Sequence, residues 1–154
     1  MDIETLRDQL RQAGARIGVG VWLMPQEYLG YEKTIAARLD VQALDARVAY
    51  VECLPEGTRF SGLTRPDGHQ RLTQLLHDLT QSTQRRDCLL VHTLDLLLLG
   101  LEVDERERFW RVALEGLPYP RIKLILAIPD KSPELFPFNL QRRYAAQLAE
   151  GVLK

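Results

Sequence analysis

The sequence has little that suits a secreted or membrane-spanning protein. Its 154 residues include two cysteines, Cys53 and Cys88, which are too few for a disulfide framework. Both are predicted to lie in strands, where a free thiol behaves as a small buried hydrophobe. The N-terminus is acidic and polar, and no apolar run approaches the roughly 20 residues that cross a membrane. These absences predict a cytoplasmic protein that does not enter the membrane.

Neither sign of charge dominates. The chain has 20 Lys and Arg against 21 Asp and Glu, so it lacks the overall basic surface expected of a nucleic-acid-binding domain. Its three histidines, His69, His77 and His92, are scattered, and no Cys-x-x-Cys occurs, so no metal site is expected. With 45% hydrophobic residues the chain can bury a sizeable core, and we expect a single domain over residues 1–154.

Short apolar segments alternate with amphipathic ones along the chain. Strands are predicted at 16–24, 46–54, 88–91 and 121–128. Helices are predicted at 1–12, 33–39, 69–86, 102–114 and 140–150, the last capped by Asn139. Residues 58–68 are predicted as a loop. This alternation predicts an α/β fold with three layers: a mostly parallel sheet of about four to five strands, with helices on both faces.

The apolar run at 88–91 is the centre of the predicted sheet, because a run without alternation is typical of a parallel strand buried on both faces. His92, Thr93 and Asp95 follow it, at the edge where open α/β sheets bind ligands. His92 is a candidate base or metal ligand and Asp95 a candidate catalytic acid. The structural alternatives are a His92 side chain bonded to backbone and an Asp95 that caps a segment at 96–101.

The loop between the first predicted strand and the next helix carries the strongest motif. Lys33 and Thr34 match the end of the P-loop pattern G-x-x-x-x-G-K-[ST], in which backbone amides cradle phosphates and the hydroxyl binds Mg²⁺. Glu27 and Glu32 occupy the two glycine positions, and Gly30 is the loop's glycine. Three interpretations stay open: an ordinary loop, a phosphate-loop remnant that no longer binds nucleotide, and a working site for ATP or GTP with Mg²⁺.

Three segments together resemble a known family. They are the strand, loop and helix around Lys33-Thr34, the segment 89–101 (LLVHTLDLLLLGL) and the segment 122–129 (IKLILAIP). Over about residues 16–130 the chain resembles the small P-loop NTPases of the AAA+/ORC-like kind, and among these the BrxF family of phage-defence (BREX-type) systems. The resemblance implies a P-loop-NTPase-like fold and a role in a defence complex.

The resemblance also assigns roles at the second segment. His92 stands where the family has a metal-binding Asp, and Asp95 stands where it has a second acid. Because the first acid and the diagnostic glycines are absent, we expect a catalytically degenerate P-loop-like domain. It would act as a subunit or adaptor in a larger bacterial complex, with a protein partner or a second copy, and without a cofactor. The alternative is an active Mg²⁺-dependent ATP- or GTP-hydrolysing enzyme.

Two arginine pairs are further candidates for an interaction site. Arg85-Arg86 and Arg142-Arg143 both fall at or near predicted helices. Arg142 and Arg143 would contact phosphates, or serve a neighbouring subunit as an arginine finger. They also support a third hypothesis, a nucleic-acid accessory factor that binds through these arginines or through a partner. The simpler interpretation is a solvated helix face.

Overall fold

In a computed structural model of the chain, the structure describes residues 1–12, 14–53, 68–83, 85–117 and 120–154. Most of the predicted loop at 58–68 therefore lies outside the described residues. The strands are β1 (Val19–Met24), β2 (Gln42–Asp45), β3 (Cys88–His92), β4 (Lys123–Pro129) and β5 (Leu148–Glu150). The helices are α1 (Ile3–Arg11), α2 (Glu32–Leu39), α3 (Ala46–Cys53), α4 (Gly68–Gln81), α5 (Leu94–Leu98), α6 (Val103–Arg111) and α7 (Phe138–Arg143).

The strands form one parallel sheet in the order β2-β3-β4-β1-β5. All carboxyl ends therefore point to the same edge. β4 lies between β1 and β3, so the ends of β1 and β3 are two strand spacings, about 10 Å, apart. The predicted fold class is confirmed: the described residues form a three-layer, P-loop-NTPase-like α/β fold with helices on both faces of a five-stranded sheet.

Two separate cores cover the two faces of the sheet. Along β1, Val19 and Val21 point into a core built with α3, α4, α5 and α6. Trp22 and Met24 belong to a second core, built with α1 and α2. The strands β3 and β4 divide their side chains in the same way, because successive side chains of a strand point to opposite faces. The central strands are thus buried on both sides, as the unalternating apolar run predicted.

The second strand is shorter and earlier than predicted. It is β2, and the predicted strand at 46–54 is wrong because helix α3 occupies that segment. The buried residues of α3 are Ala46, Ala49 and Tyr50, which recur at the spacing of one helix face. Packing of this face onto the sheet outweighs the β propensity of the segment's valines, which point to solvent.

The predicted final helix at 140–150 is also wrong. Helix α7 ends at Arg143, and its N-cap is Pro137 rather than Asn139. A 3₁₀ turn follows, and the chain then enters β5, which pairs with β1. Hydrogen bonding to the open edge of β1 decides the conformation of this three-residue strand, and that pairing is not visible in local sequence.

The two cysteines lie in different environments. Cys88 is buried in β3, as predicted, and burial raises the pKa of its thiol to about 11. Cys53 lies exposed at the end of α3, so its predicted strand position is wrong. Both are free thiols. Among the described residues, no helix combines the length and apolarity needed to cross a membrane.

Candidate functional site

The loop from β1 to α2 satisfies its own backbone. The amides at 28–31 all donate hydrogen bonds within the loop or to its flanking residue. Three donate to carbonyls at 3.0, 3.1 and 2.9 Å: Tyr28 to Pro25, Leu29 to Gln26 and Tyr31 to Tyr28. The fourth, from Gly30, donates to Glu32 Oε1 at 3.0 Å. A phosphate-binding loop presents such amides to its ligand, whereas here they are already paired.

Lys33 and Thr34 lie in the first turn of α2, which begins at Glu32. Both side chains are exposed beside the carboxyl end of β1. Gly30 has φ +87°, and a Cβ there would meet no atom within 4 Å, so its backbone conformation, rather than space, favours glycine. The turn at Gly30 is what aims its amide at the Glu32 carboxylate. The motif residues thus occupy the predicted place, in a loop closed by a carboxylate.

The residue that directly follows β3, Thr93, has an unusual backbone conformation. Thr93 adopts a left-handed backbone conformation, with φ 59°. Its hydroxyl donates to Asp45 Oδ1 at 2.5 Å. A left-handed threonine costs on the order of 1 kcal/mol, so it persists only where neighbouring contacts impose it. Thr93 is also the N-cap of α5, so the prediction that Asp95 caps a segment at 96–101 is wrong.

Asp45 joins this cluster from the end of β2, where it pairs in register with His92. Its carboxylate accepts hydrogen bonds from the amides of Arg47 at 2.9 Å and Val48 at 3.3 Å, which caps α3. Partial burial raises the pKa of Asp45, but the bond from Thr93, the two amides and the nearby His92 outweigh it and hold the pKa below its usual value. Asp45 is therefore ionised at neutral pH.

His92 and Glu32 both lie close enough to Asp95 to affect the pKa of its carboxyl group. Burial raises the pKa of Asp95, the Glu32 carboxylate raises it further, and His92 and two backbone amides oppose the shift. The start of α2, directly after the β1–α2 loop, and the segment after β3 thus come together at one edge of the sheet. His92 Nδ1 is buried without a hydrogen-bond partner among the described residues, so a backbone bond to that atom is not its role.

The remaining sequence candidates lie elsewhere. Arg142 and Arg143 are in the last turn of α7, which leads into β5 at the edge of the sheet beyond β1. The Arg142 guanidinium lies 5.9 Å from the ring centroid of Phe138. Arg143 lies 5.5 Å from the Tyr144 ring and forms an ion pair with Glu115 at 3.3 Å. Arg143 therefore has a structural partner, whereas Arg142 forms an exposed pair with an aromatic ring.

The histidines occupy three places. His69 opens α4 and pairs with the buried Glu105 of α6, His77 lies further along α4, and His92 ends β3. Within the described ranges, no group of three His, Cys, Asp or Glu side chains is placed to hold a metal ion.

Asp45 was not among the predicted site residues, and Thr93 was placed at the ligand-binding edge without a predicted role. The signal for Asp45 was an aspartate directly before a run whose apolar residues recur at helical spacing, which is an N-cap pattern. Because that run was predicted to be a strand, Asp45 was not recognised as the N-cap of a helix. No sequence signal marks the left-handed conformation of Thr93, because it depends on a contact with a residue 48 positions away.

Comparison of the chain with models of protein families, with curated proteins and with solved structures gave no match.

Proposed function

We propose that the chain is a catalytically degenerate P-loop-like domain that works as a subunit or adaptor of a larger bacterial complex. The observation that supports this most directly is the internal pairing of the loop amides at 28–31. A bound phosphate would have to displace the Glu32 carboxylate from Gly30 and break three loop hydrogen bonds. The resemblance to phage-defence proteins suggests the kind of complex, and the free thiols Cys53 and Cys88 suit a reducing cytoplasm.

Charge at the site also disfavours a nucleotide. The upward shift in the pKa of Asp95 reflects partial burial and the repulsion of Glu32. A polyphosphate would add negative charge beside these carboxylates and would meet further repulsion here. The exposed Lys33 is the motif's single cation against these carboxylates.

Hydrolysis is further disfavoured by the residue at the end of β3. The Mg²⁺ ion that accompanies nucleotides is a hard cation that takes oxygen ligands. His92 offers imidazole nitrogens at the position where the resembled family has an aspartate. The proposed domain therefore lacks the oxygen ligand expected to hold the catalytic ion.

Thermal unfolding with and without Mg-ATP and Mg-GTP tests the proposal. A ligand at 100 times its dissociation constant adds about 2.7 kcal/mol of stability, which raises the Tm of a domain of this size by about 5 °C or more. We expect no shift for the wild type. A shift that disappears in Lys33→Ala would overturn the proposal and establish nucleotide binding.

Substitution of Glu32 identifies what closes the loop. Glu32→Gly removes the carboxylate that pairs with Gly30, and Glu32→Gln keeps a neutral acceptor of the same shape. We expect Mg-ATP to stabilise Glu32→Gly more than Glu32→Gln, and we expect Lys33→Ala to abolish the gain in the glycine background. Equal behaviour of all variants would show that Glu32 does not block the site.

An active Mg²⁺-dependent NTPase is the second candidate, and one observation favours it. In the described structure the N-cap residue Tyr31 makes no side-chain hydrogen bond to the first turn of α2. That helix N-terminus attracts anions, and Lys33 and Thr34 flank it. The same wild-type titration separates this candidate from the first.

A further inference from the structure

We propose that the edge of the sheet at which the strands begin binds the phosphate backbone of a nucleic-acid duplex. The surface, here called the basic edge, consists of Arg16, Arg86, Arg121 and Lys123. It lies opposite the edge that carries the β1–α2 loop. Its test uses no nucleotide triphosphate, so this binding and the proposed function can fail independently.

The basic edge follows from the register of three neighbouring strands. Cys88 at the start of β3 pairs with Lys123 at the start of β4, and the Leu124 amide donates to the Gly18 carbonyl at 2.9 Å, just before β1. An exposed arginine stands two positions before each of Cys88, Lys123 and Gly18: Arg86, Arg121 and Arg16. Neighbouring strands lie about 4.8 Å apart, so the backbone places these arginines across about 10 Å of the edge.

Most of the positive charge of the basic edge is unpaired. Within the described part of the chain, Arg16, Arg121 and Lys123 take part in no ion pair. Arg86 pairs with Asp40 at 2.7 Å. Three cations of the basic edge are therefore available to an anion from outside.

Carboxylates that border the basic edge already have partners. Asp87, directly before β3, pairs with Arg11 at 3.1 Å. Glu115, which lines a small cavity together with Arg16, pairs with Arg143 at 3.3 Å. The undescribed positions nearest in sequence, 13, 84, 118 and 119, have uncharged side chains. The basic edge thus keeps a positive charge in a chain whose formal net charge is −1.

The opposite edge of the sheet carries acids. Glu27 follows β1, Asp95 follows β3 and Asp130 follows β4, while Asp45 ends β2. The charge of the molecule is therefore polarised along the strand direction. A polyanion is attracted to the edge where the strands begin and repelled from the edge where they end, which the net charge of the whole chain conceals.

The composition of the basic edge favours a nucleic acid over an acidic protein as the partner. Among the described residues, the large apolar side chains that are exposed lie mainly elsewhere, for example Leu29 and Tyr31 after β1 and Leu96 after β3. The centre of a protein–protein interface is apolar, whereas protein surfaces that bind nucleic acids are polar and positive. Guanidinium groups also match the oxygens of a phosphate in two-point hydrogen bonding.

The size of the basic edge sets the number of contacts. One strand of a DNA duplex carries a phosphate about every 3.4 Å along the helix axis, so about 10 Å of protein edge meets about three phosphates. This number agrees with the three unpaired cations. It predicts weak binding without sequence preference, with a dissociation constant of about 1–100 µM at physiological salt.

Fluorescence anisotropy with a labelled DNA duplex of about 20 base pairs tests the proposal between about 50 and 200 mM salt. Three phosphate contacts give a slope of about −2.7 for the logarithm of the binding constant against that of the salt concentration. Affinity should therefore fall about 40-fold across the range. Arg16→Gln and Arg121→Gln should each reduce the slope by about 0.9, and the double variant should retain only an about fourfold salt dependence.

The matched control is Arg47→Gln, which removes an exposed arginine directly after the acidic end of β2. It should leave the affinity and the slope unchanged, and thermal unfolding checks that each variant is folded. No binding at about 50 mM salt and about 100 µM protein overturns the proposal. An equal loss of affinity in Arg47→Gln also overturns it, because the attraction would then belong to no particular surface.

Two further measurements identify a different occupant. Polyglutamate that binds as tightly as the duplex at equal charge concentration would assign the basic edge to an acidic protein. Sedimentation velocity of the protein alone at about 50 mM salt should show a monomer. Association that Arg16→Gln weakens would instead assign the basic edge to the acidic edge of a second copy, and either result would overturn the proposal.

Discussion

Thr93 and Asp45 show how one hydrogen bond can hold several elements at a site. Asp45 ends β2 and caps α3, while Thr93 directly follows β3 and occupies the N-cap position of α5. The bond from the Thr93 hydroxyl to the Asp45 carboxylate therefore fixes two strand ends and two helix starts relative to each other. This bond offsets the free-energy cost of the left-handed backbone conformation at Thr93. The candidate site depends on the pair even though neither residue belongs to the P-loop motif.

The charge on Asp45 is expected to contribute to stability in a pH-dependent way. Its folded-state pKa lies below the unfolded value of about 3.9, so the contribution is present at neutral pH and is lost as the pH falls through the folded-state pKa. Asp45→Asn keeps a capping side chain without charge. At pH 7 we expect the variant to be less stable by about 1 kcal/mol. The difference should shrink as the pH falls below the unfolded value and disappear below the folded-state pKa.

Urea unfolding of both proteins from pH 7 to pH 3 measures this difference. Asp130→Asn removes one exposed carboxylate and is the matched control. A deficit for Asp45→Asn that stays constant across the range would show that the hydrogen-bond geometry, and not the charge, is what the fold needs.

At the level of elements, α1 packs unusually closely on β1. A Cβ on Gly20 would lie 2.8 Å from both methyl carbons of Leu6, which is 1% exposed. The absence of a side chain at Gly20 thus sets the distance between the helix and the sheet. This contact supports the strand that leads directly into the loop between β1 and α2.

Gly20→Ala should destabilise the protein by about 1–3 kcal/mol, because the added methyl group overlaps Leu6. In a Leu6→Ala background the same change should cost much less, since the clash is gone. Urea unfolding of the four proteins gives the coupling. Gly116→Ala is the control, because its Cβ would meet its nearest neighbour, Val112, at an ordinary 3.6 Å. A Gly20→Ala cost that is equal in both backgrounds would point to backbone strain instead.

The sequence predicted the elements that are fixed by long local patterns. The apolar run of β3 and the strand, loop and helix around Lys33 lie where expected. The failures are elements decided by distant contacts. α3 contains two valines and a tyrosine, typical of a strand, yet it is helical because its small buried face fits the sheet. β5 has three residues and exists because β1 offers an open edge.

At the scale of the whole molecule, the C-terminal tail ties the loop between β1 and α2 to α1. The Trp22 indole donates to the Gly151 carbonyl at 3.1 Å, and the Leu153 amide donates to the Tyr28 hydroxyl at 3.1 Å. Lys154 forms an ion pair with Asp2 at 2.7 Å. The loop is thus held from outside as well as by its own amides, which agrees with a loop that does not open for a ligand.

Tyr28→Phe should remove the hydrogen bond between the Leu153 amide and the Tyr28 hydroxyl while keeping the aromatic ring beside Trp22. Loss of one partly buried hydrogen bond should lower the free energy of unfolding by about 1 kcal/mol. Amide hydrogen exchange should also become faster in the loop at 28–31. Tyr31→Phe makes the same chemical change at a tyrosine that is 63% exposed and is the matched control. Unchanged exchange in Tyr28→Phe would mean that the loop's internal bonds suffice.

The division into two cores also gives the protein two intrinsic fluorophores that report on different layers. Trp22 is fully buried with α1 and α2, and Trp110 is fully buried in the opposite core, and the chain has no other tryptophan. The Tyr28 ring lies 5.9 Å from Trp22, so any rearrangement of the loop changes the surroundings of that emitter first. With Trp110 replaced by phenylalanine, the emission spectrum would follow the loop without an added label. With Trp22 replaced instead, the emission of Trp110 would show whether the core that contains Trp110 unfolds in the same transition as the rest of the protein.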